Sequence, residues 1–129
     1  MNVIGFNHLT LNVKRLEKSL PFYCDVLGMK LVHRGRTDVY LEWGNAWICL
    51  LEKPEETNSP QGLGMDHVAF SITEEAFFPA VDRLREQGVP LVREPIERGG
   101  GWSVQFTDPD GLVLELFTGD LHKRMENWK

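Results

Sequence analysis

Two short stretches of this chain are near copies of each other: Gly5-Phe6-Asn7-His8-Leu9-Thr10-Leu11 and Gly64-Met65-Asp66-His67-Val68-Ala69-Phe70. In each, a small polar residue precedes a histidine and apolar and small residues then alternate as in a half-buried strand. A helical stretch with its own proline follows. The two histidines lie 59 residues apart, so each copy opens a repeat of roughly half the chain. Any fold for this sequence must use one unit twice and present a histidine at the same place in both. That duplication points to a site shared by the halves.

Within the first repeat, alternation predicts a strand over residues 3–13. Apolar residues at 16, 20, 23, 26 and 27 form a helical stripe that Gly28 closes as a C-cap. Pro21 falls inside that stripe and removes a backbone donor, so it belongs near the first turn or at a tolerated kink. Residues 29–33, 37–43 and 46–52 read as three strands joined by turns at Gly35 and Gly44-Asn45. The first unit is therefore β-α-β-β-β. Residues 53–63 are polar with two prolines, the composition of an exposed linker.

The second repeat follows the same plan. It has a strand at 66–72, a helix at about 74–87 ended by Gly88, a strand around 90–93, and a glycine-rich loop at 99–101. Two more strands, 102–107 and 112–117, flank Asp108-Pro109-Asp110-Gly111, where proline second and glycine fourth suit a type I turn. The tail, 118–129, is polar with the makings of a short helix. The expected fold class is α+β: two paired βαβββ repeats forming a half-open mixed-sheet cup around a site. The boundaries are repeat one at about 3–52, linker 53–63, repeat two at about 64–117 and tail 118–129, all within one domain.

The formal net charge of −5 and an isoelectric point near 5.3 argue against nucleic-acid or anionic-membrane binding, both of which reward a positive field. No apolar run approaches the roughly 20 residues that span a bilayer, and the N-terminus reads straight into a strand. These features suggest a soluble cytoplasmic protein. Cys24 and Cys49 lack any Cys-x-x-Cys spacing, so they read as buried free thiols.

Alternation puts His8, Thr10 and Asn12 on one face of the first strand, and His67 and Ala69 on the matching face of its counterpart. A single strand histidine is more often a packing residue; recurrence at the same point of both repeats argues for a ligand. The last strand adds Glu115 within Leu-Val-Leu-Glu-Leu-Phe, and a buried carboxylate is costly unless paired or metal-bound. Two imidazoles and one carboxylate make a facial triad with open positions, suited to Mn(II), Fe(II) or similar ions.

The repeated units resemble the vicinal oxygen chelate superfamily. The motifs that carry the resemblance are Asn-His-Leu-Thr-Leu, Phe22-Tyr23 before Val26-Leu27-Gly28, Asp66-His67-Val68-Ala69-Phe70, and Asp108-Pro109-Asp110-Gly111 before Glu115. Glyoxalase I, extradiol dioxygenases, and fosfomycin-resistance and bleomycin-binding proteins belong to it. Tyr40-Leu41-Glu42, Ala46-Trp47-Ile48-Cys49-Leu50 and the tail Thr118-Gly119-Asp120-Leu121 with Arg124 resemble the fosfomycin-resistance branch. The resemblance implies a homodimer in which His8, His67 and Glu115 hold a divalent ion, with His8 coming from the partner chain. Manganese is the usual ion; Fe(II), Zn(II) and Ni(II) are alternatives. It further implies opening of a small epoxide phosphonate by a low-molecular-weight thiol or by water. Thr10 would contact the ring oxygen or nucleophile, Arg124 and Arg98 the anionic group, and Tyr40 and Trp47 an aromatic wall. Asp38 would be a base for water, although an aspartate at a strand edge is ordinarily just solvated.

The sequence also departs from that branch. Gly99-Gly100-Gly101-Trp102-Ser103 replaces the Ser-Glu-Gly-Asp-Ser loop that binds potassium in glutathione-using members, and so supplies no carboxylates. Gln105 stands where a tyrosine is expected and Pro95 where a lysine is expected, which leaves another small anion open as substrate. Glyoxalase I chemistry needs a fourth ligand that residues 47–51 do not supply. Extradiol dioxygenases use an extra acid-base histidine and tyrosine, whereas His33 and His122 lie off the triad strands. A non-catalytic drug-binding dimer of the bleomycin-sequestering type generally lacks the triad, and an unassigned lyase, isomerase or dioxygenase on this scaffold is a further alternative.

Overall fold

The computed structural model of the protein describes residues 1–55 and 64–127. Residues 56–63, most of the expected linker, and the last two residues of the tail lie outside that description. The chain divides into two compact units, Met1–Thr57 and Asn58–Lys129. Each contains a four-stranded mixed sheet with helices, which makes the protein α+β.

In the first unit, β1 (Leu9–Val13) leads into α1 (Leu16–Leu20), which continues as a π-helical segment over Pro21–Val26. Then come β2 (Lys30–Arg34), β3 (Asp38–Trp43) and β4 (Ala46–Glu52), giving the order β1-β4-β3-β2. β1 runs parallel to β4, and the other pairs are antiparallel. Pro21 falls where the helix widens: Leu27 N–H donates to the Phe22 carbonyl at 3.0 Å, an i→i+5 bond. Gly28 takes φ +84, and Met29 N–H closes the end on the Tyr23 carbonyl, as a glycine C-cap should. The Glu52 carboxylate accepts from Leu16 N–H at 2.9 Å, so the last strand satisfies an orphan donor at the start of α1.

The first strand is shorter than its sequence pattern suggests. It begins at Leu9 rather than near residue 3, and Val3, Ile4 and Phe6 are exposed. Leu9 pairs with Ile48, and β4 begins at Ala46. Residues well upstream of His8 therefore have no strand to pair with, whatever their alternation.

In the second unit, β5 (Val68–Ser71), α2 (Glu74–Glu86), β6 (Ile96–Arg98), β7 (Gly101–Thr107), β8 (Val113–Phe117) and α3 (Leu121–Asn127) form a sheet ordered β5-β8-β7-β6. Again the first and last strands of the repeat are parallel. Thr73 Oγ1 caps α2 by accepting from Ala76 N–H, and Gly88 at φ +70 ends it. The expected strand around 90–93 is reduced to one bridge, Leu91 with Phe106, and the true edge strand is β6. Pro90 and Pro95 supply no N–H to a ladder, so regular pairing resumes only after the second of them. At the β7–β8 turn, Gly111 N–H donates to the Asp108 carbonyl, while Asp108 Oδ1 accepts from the N–H groups of Asp110 and Leu112.

Each sheet has one apolar face. Leu11, Val13, Val39, Leu41, Ile48 and Leu50 are buried in the first unit along with Leu16 and Tyr23. Val104, Phe106, Leu114 and Leu116 are buried in the second along with Phe77, Val81 and Leu84 of α2. At about 1.5–3 kcal/mol per buried side chain, these rows fix which face turns inward. The other face of each sheet mixes polar and aromatic residues with a few aliphatic ones, and the candidate functional groups lie there.

Candidate active site

On the first sheet, Thr10, Cys49 and Tyr40 are direct neighbours across β1, β4 and β3, so their side chains share one face. His8, just before β1, continues the row: its ring stacks on Trp47 with centroids 4.3 Å apart. Trp47 meets Tyr40 edge-on at 5.7 Å, and Tyr40 meets His33 at 5.5 Å. His8, Trp47, Tyr40 and His33 thus form a continuous line of rings across the four strands, with His33 as a member that sequence reasoning set aside. A bulge between Leu31 and His33 in β2 breaks strict alternation there, which hid the facing of His33. Thr10 is exposed. Asp38 opens β3, and its carboxylate folds over Gly35 of the adjoining turn, where a Cβ at Gly35 would collide with it. That is the posture of a turn aspartate.

On the second sheet, His67 immediately precedes β5, and Glu115 lies in the middle of β8, 9% exposed. Their Nε2 and Oε1 atoms are 3.1 Å apart. Gln105, directly opposite Glu115 on β7, donates from Nε2 to the same Oε1 at 2.7 Å.

The residue before each histidine engages the ring. Asn7 Oδ1 lies 2.7 Å from His8 Nδ1, and Asp66 Oδ2 lies 2.7 Å from His67 Nδ1. An amide oxygen and a carboxylate only accept, so each ring donates from Nδ1 and turns Nε2 outward from that contact. At His67, Nε2 faces a carboxylate oxygen, a pairing that is satisfied either by a proton on Nε2, as an ion pair, or by a cation between the two atoms. Adjacent ligands of an octahedral ion at about 2.1 Å stand about 3.0 Å apart, so the separation suits one. Neither unit by itself, among the described residues, gathers three His, Cys, Asp or Glu side chains into a metal-binding group.

Arg124, on α3, is half-buried and lies across the glycine loop. A Cβ at Gly99 would come within 2.5 Å of Arg124 Nε, and Arg124 Cζ sits 5.9 Å from the Phe117 ring centroid. The loop is held close to the tail: a Cβ at Gly101 would stand 2.5 Å from Gly119 N. Trp102 N–H donates to Thr118 Oγ1 at 2.8 Å. Arg124 has no carboxylate partner among the described residues. Arg98 is exposed on β6. Arg93, which the sequence reading passed over, is half-buried and donates to Ser103 Oγ at 3.3 Å, on the face of β7 that carries Gln105. Its position between two prolines obscured the strand pattern that would have indicated its facing.

The Glyoxalase/Bleomycin resistance protein/Dioxygenase superfamily model matches residues 5–116. Glutathione transferase FosA of Serratia marcescens is 39% identical over 122 residues, spanning 94% of this chain and 85% of that protein. Metallothiol transferase FosB of Staphylococcus epidermidis is 37% identical over 130 residues, spanning 100% of this chain and 92% of that protein. The solved structure of the fosfomycin resistance protein FosX from Listeria monocytogenes, complexed with Mn(II) and sulfate ion, matches with a TM-score of 0.81 at 27% identity. It covers 99% of this chain and 100% of that one. With the repeated sheets, the paired histidines and these relatives together, the chain belongs to the glyoxalase/bleomycin resistance/dioxygenase superfamily, alongside its fosfomycin-resistance proteins.

Proposed function

We propose that this protein is a metal-dependent enzyme that opens a small epoxide phosphonate of the fosfomycin type with a thiol or water. The observation that carries the proposal is the His67–Glu115 pair, whose Nε2 and Oε1 atoms stand 3.1 Å apart, a separation that suits two neighbouring ligands of one ion. His67 and Glu115 would hold the ion, together with His8 supplied by the partner in a homodimer. Mn(II) is the first candidate, with Fe(II), Zn(II) and Ni(II) behind it. When bound, such an ion supplies Lewis acidity toward the ring oxygen. Arg124 is the anion contact: it is half-buried and has no carboxylate partner among the described residues, and its planar guanidinium fork suits two oxygens of a phosphonate. Thr10 hydrogen-bonds to the ring oxygen or nucleophile, and Trp47 and Tyr40 form the wall that limits water. In the reaction, a bond forms from sulfur or water oxygen to a ring carbon, the carbon–oxygen ring bond breaks, and the nucleophile's proton ends on the freed oxygen.

Arg98 is assigned to the outer rim of the anion site, because it is exposed. Asp38, folded over its own turn, is the weakest candidate base, which favours a thiol over water. A cytoplasmic location fits that preference, since small thiols are kept reduced there and Cys24 and Cys49 are both unpaired.

The test is fosfomycin turnover by metal-stripped protein reloaded with Mn(II), run with glutathione, with another small thiol, and in water alone. Metal-dependent ring opening is expected in a thiol arm. Mn(II) binding with fosfomycin intact in all three arms would refute the substrate and leave the metal site standing.

A further inference from the structure

Gln105 has no part in the chemistry above, yet it makes the shortest contact to the proposed metal-binding carboxylate. The two residues are a direct cross-strand pair on β7 and β8, the arrangement in which opposing side chains meet most closely. The contact is 2.7 Å, from Gln105 Nε2 to Glu115 Oε1. Glu115 is buried, and a buried carboxylate without a donor is costly. A lysine or arginine opposite it would satisfy that need, but it would also neutralise the charge that a divalent ion requires and repel the ion. A side-chain amide satisfies the carboxylate and leaves its charge intact. It also fixes the carboxylate in place, because Gln105 anchors Oε1, the oxygen that faces His67, while Oε2 keeps no protein partner among the described residues.

We propose that Gln105 is a positioning residue for the metal centre, holding the Glu115 carboxylate beside His67 before an ion arrives. The inference rests on the metal site proposed above. Hydrogen-bond partners behind metal ligands are typically worth about 10–100-fold in metal affinity. The full-length protein and its Gln105→Met variant, similar in shape but without the donor, are titrated with Mn(II), and the free ion is followed by electron paramagnetic resonance. A Kd raised by about 10–100-fold is expected, along with a changed visible spectrum of the Co(II)-loaded protein and little change in the melting temperature of the metal-free protein. Gln105→Lys should weaken Mn(II) further still.

A purely structural role would lower the melting temperature without moving the Kd or the spectrum. If Gln105→Met does not fold, Gln105→Asn, one methylene short of the contact, carries the same expectation. If wild type binds Mn(II), Glu115→Ala does not, and Gln105→Met binds within twofold of wild type, the positioning role is refuted and the metal site stands. A wild-type protein that binds no Mn(II) refutes both.

Discussion

Gly99 and Gly44 provide a matched pair of substitutions that isolates the placement of Arg124. Both glycines adopt φ +60, so alanine at either meets the same left-handed penalty of about 1–2 kcal/mol. That should lower the melting temperature by roughly 3–10 °C in a protein of this size. The space around them differs. A Cβ at Gly44 meets nothing within 4 Å, whereas one at Gly99 stands 2.5 Å from Arg124 Nε and 2.9 Å from its Cδ and Cζ. Ordinary contact needs about 3.5–4 Å, so the arginine must withdraw by about 1 Å. It can do so by rotating its flexible stem, and the clash should therefore add little to the loss of stability. The loss should fall on the proposed anion contact instead, where a charged hydrogen bond contributes about 1.5–3 kcal/mol, or roughly 10–100-fold in KM. Thermal unfolding and fosfomycin kinetics on Gly44→Ala, Gly99→Ala, Arg124→Ala and the Gly99→Ala/Arg124→Ala double variant form the assay. Similar melting losses for the two glycine variants, a raised KM for Gly99→Ala and for Arg124→Ala but not for Gly44→Ala, and a double variant with the KM of Arg124→Ala alone are expected. A KM for Gly99→Ala within twofold of that for Gly44→Ala would refute the reasoning, as would a melting loss far beyond it.

Glu115→Ala should abolish Mn(II) binding at micromolar concentrations, as measured by equilibrium dialysis, while the protein stays folded. Ser19→Ala should stabilise the protein by about 1 kcal/mol in urea unfolding, because the Ser19 hydroxyl is buried without a hydrogen-bond partner among the described residues. Asp108→Ala removes the acceptor for two turn N–H groups and should cost about 2 kcal/mol in the same assay. Burial, and then the neighbouring Asp25, raise the pKa of Cys24 above the ordinary thiol value, so folding favours its protonated form. Its contribution to stability is present below the unfolded pKa and lost as pH rises through the higher folded one. Peptide-level iodoacetamide labelling should therefore show Cys24 reaching half-maximal rate at a higher pH in native than in unfolded protein.

The sequence was most legible where one pattern determined the outcome. The doubled histidine motif, the apolar alternation of β3, β4, β7 and β8, the C-cap glycines 28 and 88, and the Asp108 turn all have local causes, and the structure contains each of them. It was less legible where pairing depended on a distant strand. Residues 3–6 alternate well enough for a strand, but β4 starts too late to receive them. The third strand of the second repeat moves beyond Pro95 because a ladder needs donors that proline lacks. Gln105 could be read from the sequence only as a mismatch with a family pattern. Its contact with Glu115 depends on the β7–β8 register, and a one-residue slip would turn it to the other face.

The two copies of the motif share a geometry but not a charge. Each histidine has its Nδ1 held at 2.7 Å by the side chain just before it, so chain geometry alone fixes the tautomer in both repeats. The partner is a neutral amide at Asn7 and a carboxylate at Asp66, and a carboxylate makes the opposite ring nitrogen the more basic ligand. In the proposed metal site His67 would therefore be the stronger donor, and it is the one that stands beside Glu115. His8 would be the weaker one, and its ring is stacked against Trp47. An exchange of the two polar residues, Asn7→Asp with Asp66→Asn, tests whether this ranking matters. If affinity depends on the strong donor lying beside the carboxylate, the exchanged protein should bind Mn(II) more weakly than either wild type or the Asn7→Asp single variant. If the two residues only orient their rings, the exchange should leave affinity unchanged.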